Sequence, residues 1–308
     1  MQTTQHLLMI RPSRFECNIQ TTSSNAFQKP SNDPIAAQTA ALQEFDAYVE
    51  QLRTAGLDVM VEQDMVEPHT PDSIFPNNWV SFHDDGAVVL YPMEAPNRRL
   101  ERNETILQRI NEHFDIKQIH DLSSFELKKQ FLEGTGSLVL DREHRIAYVC
   151  RSSRSNPAVM SEFSALLDYT AFWFNAQDVN GRDIYHTNVM MSVGRVLAVV
   201  CLESILDQGE RKTLVELLEK TGKVILDISL PQTLAFAGNV LEVSNQAGEP
   251  VLAMSQRAWN SLDTQQKALL TRHVRPVIAQ LDTIETFGGG GARCMIAEIH
   301  LPLRQEGI

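Results

Sequence analysis

The chain has 308 residues, 43% of them hydrophobic, which is ample for a sizeable core in one large domain or two. A formal net charge of −12, a pI near 5.2 and the lack of a Lys/Arg-rich block argue against a binder of nucleic-acid backbones. The start, Met1-Gln-Thr-Thr-Gln-His-Leu-Leu-Met-Ile10, lacks a signal peptide's basic region, and apolar runs such as residues 196–202 are too short to cross a bilayer. Cys17, Cys150, Cys201 and Cys294 are widely spaced and fit neither a zinc pattern nor a disulfide framework. That usage suggests a reduced, cytoplasmic protein.

Residues 7–12 read as a first strand, and the polar, proline-bearing residues 23–33 as a loop. Ala37, Leu42, Phe45, Tyr48, Val49 and Leu52 recur at helical spacing, predicting a helix over 36–55 that stops at Gly56. A strand over 57–61 follows. Asp84-Asp85-Gly86, between Ser81-Phe82 and residues 87–91, is a hairpin signal. A helix is expected over 100–113 and a short strand over 116–122.

The theme then recurs. Residues 131–140 and 146–150 read as two strands around a turn, followed by a helix over 156–169 and a strand over 171–174. Residues 184–192 and 195–201 repeat the hairpin, with a helix over 206–221 and a strand over 224–228. Residues 236–243 and 251–254 repeat it again before a helix over 264–274, and a strand carrying Cys294 closes the chain. The rhythm returns every fifty to sixty residues without sequence repetition. It suggests small mixed sheets arranged radially in one domain over 1–308. A doubly wound sheet, the competing arrangement, should show longer helices between single strands.

Three stretches place a reactive residue beside a strand. Leu132-Glu133-Gly-Thr-Gly136 offers a carboxylate, Tyr185-His186-Thr-Asn188 an imidazole, and Phe287-Gly-Gly-Gly-Gly-Ala-Arg-Cys294 a thiol. A cysteine nucleophile needs a base, and the base an orienting acceptor, which folding can supply from distant residues. Each also has a plain structural reading, as a turn carboxylate, a core histidine and a small buried apolar residue. The other histidines read mostly as loop or helix-surface residues, and the other cysteines as packing or loop residues. The glycine run lacks the Lys and Ser/Thr of a phosphate-binding loop, Gly134-Thr-Gly136 completes no dinucleotide fingerprint, and no metal cluster stands out.

Six motifs carry a resemblance over nearly the full chain. They are Pro71-Asp-Ser-Ile-Phe-Pro-Asn-Asn78, Ala95-Pro-Asn-Arg-Arg99, Leu132-Glu-Gly-Thr-Gly136, Ser153-Arg-Ser-Asn156, His186-Thr-Asn188 and the glycine-rich approach to Cys294. In this order they resemble the pentein guanidino-group modifying enzymes: dimethylarginine dimethylaminohydrolase, arginine deiminase and amidinotransferase. Within these the chain is most similar to a bacterial amidinotransferase-like branch of citrulline-utilisation hydrolases. The resemblance implies a five-bladed α/β propeller of ββαβ units around a central pocket, with no metal and no organic cofactor. It implies Cys294 as nucleophile, His186 as general acid and then base, and Glu133 as the carboxylate that holds substrate nitrogens and orients the histidine. Asp72, Phe75, Asn77, Asn78 and Asn188 fall in its substrate-binding motifs, and Arg98 and Arg154 where the dimethylargininase branch binds the amino-acid carboxylate.

Two positions depart from the family. Asn78 stands where relatives that bind a guanidinium usually carry aspartate, and Asn188 where arginine deiminases carry it. An amide offers both a donor and an acceptor, which suits a neutral ureido group better than a cation. The expected substrate is therefore an amino acid with a ureido or guanidino end, citrulline first, giving ornithine, ammonia and carbon dioxide. Dimethylargininase or deiminase activity, amidino transfer to an amine, and a non-catalytic binding protein on the same fold remain the alternatives. Residues 23–33 and 181–183 are lid candidates by composition. A homo-oligomer is compatible with the sequence, which does not specify one.

Overall fold

A computed structural model describes residues 1–22, 25 and 27–304. Its strands form five three-stranded sheets. The first contains β1 (His6–Arg11) and β2 (Asp58–Gln63), parallel and joined through the helix Pro34–Thr54. The second contains β3 (Val80–Phe82), β4 (Ala87–Leu90) and β5 (Gln118–Asp121). The third contains β6 (Val139–Asp141), β7 (Ile146–Cys150) and β8 (Thr170–Phe174). The fourth holds β9 (Met191–Val193), β10 (Leu197–Val200) and β11 (Val224–Asp227), and the fifth β12 (Leu241–Ser244), β13 (Pro250–Ser255) and β14 (Arg275–Ala279). In each of these four sheets the first two strands pair antiparallel, and a helix crosses over to a parallel third. The first sheet acquires its missing inner strand from the other end of the chain, β15 (Ala297–Glu298), antiparallel to β1. This is a five-bladed α/β propeller closed by pairing its two ends.

The crossover helices share a local cause. Asp33, Asn103, Asn156, Asp207 and Asp263 each accept a backbone N–H of the helix they precede. Such caps satisfy donors that the first turn leaves unpaired and contribute about 1 kcal/mol each. In the longest helix, Ala37, Ala41, Phe45, Tyr48, Val49 and Leu52 form the buried face.

The inner strands, two to four residues long, crowd the axis, β15 against β3, β6 against β9 and β9 against β12. One tight turn precedes each of them. These are the single 3₁₀ turn Pro76–Asn78, the helical turn Gly134–Ser137, the 3₁₀ turn Thr187–Val189, the turn from Phe236 to Asn239, and the turn from Gly291 to Cys294. Asn78, Gly136, Asn188, Asn239 and Cys294 thus occupy equivalent places, two or three residues before the inner strand of each blade.

Several elements differ from the sequence-based expectation. The strand expected over 131–140 begins only at Val139, because Gly134–Ser137 winds into a helical turn. His186 precedes a 3₁₀ turn instead of opening a strand, which begins at Met191. Cys294 lies in a turn, and the apolar run after it yields only Ala297–Glu298 as strand. The helix expected from residue 100 starts at Glu104, after the 3₁₀ segment Pro96–Glu101. The strand β14 carries no alternating signal in sequence. His83 and His300, expected at the surface or in loops, are buried. No helix among the described residues is long and apolar enough to cross a membrane.

Candidate active site

The thiol of Cys294 is positioned by the chain just upstream of it. The π-helical turn Ile284–Gly288 ends at Gly289, whose φ of +69° turns the backbone back before the cysteine. Gly290 sits so close to Phe75 that a Cβ there would come within 2.7 Å of the ring and 3.1 Å of the Cys294 Cβ. The cysteine N–H bonds the Gly291 carbonyl at 3.1 Å, which closes the turn. Its sulfur accepts from Asn239 Nδ2 at 3.1 Å and faces Asn188 Nδ2 at 3.6 Å. Burial pushes the thiol's pKa up, against the opposing pull of Asn239 and Arg293.

His186 lines the same cavity as Cys294. Its Nε2 lies 2.8 Å from Glu133 Oε2. Glu133 is wholly buried, and burial alone would favour its neutral form. Arg154 at 3.1 Å and His186 override that and hold the carboxyl well below the usual carboxylate range. An ionised Glu133 can only accept, so Nε2 carries the proton and Nδ1 is left as the basic nitrogen. Burial takes the His186 pKa down to about 4, against Glu133 pulling it up. The imidazole is therefore neutral at pH 7. Gly136 explains how close these groups come: a Cβ there would stand 2.4 Å from Asn78 Nδ2 and 2.8 Å from His186 Nδ1.

The expected substrate-binding residues divide into layers. Asp72, Phe75, Asn78, Arg98 and Arg154 line the cavity. Asn188 reaches the sulfur itself. Asn77 stands behind, its carbonyl accepting from Thr135 Oγ1 at 3.3 Å. The guanidinium of Arg98 is not a free fork: Nε and Nη2 bond Glu101 at 2.8 and 3.0 Å, and Nη1 bonds Asn78 Oδ1 at 2.7 Å. Burial opposes that charge, but Glu101 and Asp72 keep the group protonated. Asp72 accepts from Asn18 Nδ2 at 2.7 Å and Gln28 Nε2 at 3.1 Å.

Sequence reasoning did not single out Asn18, Thr21, Asn25, Gln28, Glu101, Tyr185 or Asn239. Thr21, Asn25 and Tyr185 line the cavity. Gln28 Nε2 donates to the Gly288 carbonyl at 2.8 Å, Asn25 Nδ2 to Gly289 at 3.3 Å, and Tyr185 Oη to Gly289 at 3.2 Å. The loop expected over 23–33 thus supplies one wall, although Ser23, Ser24 and Ala26 lie outside the described residues. Of the other lid candidate, residues 181–183, Arg182 and Asp183 line a larger cavity that shares Tyr185 with this one. Asn239 had one signal, an asparagine after a glycine at a strand entry, and position alone gave it no role.

Comparison with known proteins gives the family. Residues 11–301 match the family model described as N,N dimethylarginine dimethylhydrolase, eukaryotic. The chain belongs to this family. It is accordingly a member of the pentein superfamily, whose cysteine-dependent hydrolases act on guanidino C–N bonds. No curated protein sequence matches it significantly. Solved structures share the family's fold at low identity. The N-terminal domain of ArgZ, an arginine dihydrolase from the ornithine-ammonia cycle in cyanobacteria, has a TM-score of 0.75 at 16% identity, covering 96% of this chain and 98% of that one. AgrE has a TM-score of 0.75 at 17% identity over 98% of this chain, which spans only 40% of AgrE. A dimethylarginine dimethylaminohydrolase variant, as an adduct with S-methyl-L-thiocitrulline, has a TM-score of 0.66 at 14% identity, covering 96% of this chain and all of that one, 100%.

Proposed function

We propose that residues 1–308 act as one catalytic domain, a cysteine-dependent hydrolase that cleaves the terminal C–N bonds of citrulline. The observation that carries the substrate choice is the amide lining of the sulfur. Among the described residues nothing donates to Asn188 Oδ1 or Asn239 Oδ1, although both atoms are buried. An amide oxygen that the protein's own donors do not occupy can accept an N–H from a ureido group. Both oxygens are neutral. The two carboxylates nearest the cavity are engaged by the protein itself, Asp72 by Asn18 and Gln28 and Glu133 by His186 and Arg154. Neutral acceptors beside the nucleophile suit a neutral ureido group. A guanidinium would need the carboxylates that this site has committed elsewhere.

In this reading the Cys294 proton passes to neutral His186, and the sulfur attacks the ureido carbon. The imidazolium formed is stabilised by Glu133. It returns the proton to the departing nitrogen as one C–N bond breaks, leaving a thiocarbamate on the sulfur. Water then gives a proton to His186 and its oxygen to the carbon, and the thiol leaves. The carbamic acid released loses carbon dioxide and yields the second amine. The sum is citrulline plus water to ornithine, ammonia and carbon dioxide. Arg98 and Arg154, which line the cavity, would meet the amino-acid carboxylate by exchanging their present bonds to Asn78 and Glu94. Phe75 packs the aliphatic stem. The reaction as written requires no metal and no organic cofactor, and we assign it to the cytoplasm.

The test incubates the protein with citrulline, arginine, methylated arginines and agmatine, and measures ammonia and amino-acid products. Ornithine from citrulline, lost in Cys294→Ala and His186→Ala, is the expected result. Turnover confined to methylarginines or arginine would overturn the substrate choice. Turnover unchanged in Cys294→Ala would overturn the mechanism.

A further inference from the structure

The five turns before the inner strands present one equivalent position per blade. Four of the five are assigned a task or a reason above. Asn78 holds Arg98, Gly136 admits the histidine, Asn188 faces the sulfur, and Cys294 is the sulfur. The fifth blade contributes Asn239.

Its surroundings are built around that side chain. Asn239 is 2% exposed. Its Nδ2 donates in two directions, to the Asn188 carbonyl at 3.0 Å and to Cys294 Sγ at 3.1 Å. Its own carbonyl accepts the Arg293 N–H at 3.4 Å, so backbone and side chain both grip the nucleophile's turn. Gly238 brings the strand entry against the 3₁₀ turn of the fourth blade, where a Cβ would fall 2.5 Å from the Val189 carbonyl. Phe236, which opens the turn, sits at φ +63°, a backbone region that costs a bulky residue about 1–3 kcal/mol. The fold retains a strained turn that delivers one amide to the sulfur.

The chemistry asks for such a donor. A cationic substrate can itself help a thiol to ionise, whereas a ureido group brings no charge. The guanidinium nearest in sequence, Arg293, gives its donors to Ile296 O and Glu298 and acts on the sulfur only through space. The imidazole is held by Glu133. We propose that Asn239 is the positioning residue of the nucleophile: its N–H fixes the Cys294 sulfur and stabilises the thiolate, so that attack on an uncharged substrate needs no cation beside the sulfur. This rests on the function proposed above, and its test is chosen to be separable from it.

The experiment follows alkylation of Cys294 by iodoacetamide against pH, read by mass spectrometry of the peptide that carries it, so that reaction at Cys17 does not interfere. Asn239→Asp keeps the shape and replaces the donor by an acceptor. Its alkylation midpoint should rise by about one pH unit or more, the loss of one hydrogen bond to a charged group with repulsion added. Citrulline turnover at pH 7 should fall about tenfold or more with KM little changed, and recover as the pH is raised. A merely structural asparagine would lower activity at every pH alike. Asn239→Ser, too short to reach the sulfur, should shift the midpoint in the same direction and serves if the aspartate variant does not fold. A folded variant of either kind with the parental midpoint overturns the proposal. A shifted midpoint in a protein that ignores citrulline leaves Asn239 its role and removes only the substrate assignment.

Discussion

Glu133 and His186 meet through one buried hydrogen bond, Oε2 to Nε2 at 2.8 Å, between residues fifty-three positions apart in the chain. The bond fixes both partners. Arg154 keeps the carboxylate ionised, and the carboxylate then dictates which imidazole nitrogen carries the proton. Glu133→Gln removes the charge that stabilises the imidazolium and the anion facing Arg154 Nη1, while Arg154 Nε keeps its bond to Glu94. We expect kcat on citrulline to fall by about 10²–10⁴-fold, measured by ornithine release.

The acid limb of the rate profile follows from the same pair. Burial takes the His186 pKa from its ordinary value of 6.5 down to about 4. A lowered histidine pKa means that the neutral base persists as pH falls, until about pH 4. The kcat/KM for citrulline should therefore stay level through pH 6 and drop near pH 4. A limb near pH 6.5 would show an imidazole exposed to solvent in the free enzyme.

Asn188→Asp places a carboxylate where an amide now faces the sulfur at 3.6 Å. The added negative charge opposes thiolate formation and favours a cation in the cavity. Citrulline kcat/KM should fall by about tenfold or more, and the ratio of arginine to citrulline turnover should rise. Parallel steady-state assays on the two substrates give the answer.

Gly136→Ala tests the packing behind the histidine. The new Cβ would stand 2.4 Å from Asn78 Nδ2 and 2.8 Å from His186 Nδ1, so one of them must move. Overpacking of this kind costs about 1–3 kcal/mol, and a misplaced catalytic group costs about 10²-fold in rate. The variant should show a lower Tm and a loss of kcat that exceeds any change in KM.

Glu285 lies in the π-helical turn that leads to the glycines, with Arg257 Nε at 3.1 Å. Burial raises its pKa from 4.5 to about 7. The folded state therefore holds this proton more tightly than the unfolded chain. Its stability is penalised as pH rises from about 4.5 through 7, and the penalty stays constant above that. Glu285→Gln should leave Tm nearly unchanged at pH 4.5 and raise it at pH 8, by at most about 3 kcal/mol of stability. Thermal unfolding at the two pH values measures this.

Much of the architecture was legible along the chain. Asp and Asn caps, apolar helical faces and the hairpin at Asp84-Asp85-Gly86 are local features, and local physics writes them into sequence. The recurring strand and helix rhythm implied small mixed sheets arranged radially, the family resemblance implied five of them, and the described residues form five. The departures that bear on the site fell at its turns. Residues 131–140 and 184–192 are apolar enough to read as strands, yet Gly134–Ser137 and Thr187–Val189 wind into turns because each must present a side chain at the axis. The burial of His83 and His300 was equally hidden, since neither lies on a periodic face.

By itself the sequence determined the residue types: a thiol after a glycine run, an imidazole, a carboxylate, and amides at positions 78 and 188. Those are properties of single positions and short motifs, and no fold is needed to read them. Only the tertiary structure decided which amides reach the Cys294 sulfur, and that Asn239 bridges that sulfur and the Asn188 carbonyl. These relations depend on closing a ring of five blades through β15 and β1. Closure sets distances between residues scores of positions apart, and no local pattern encodes such a distance.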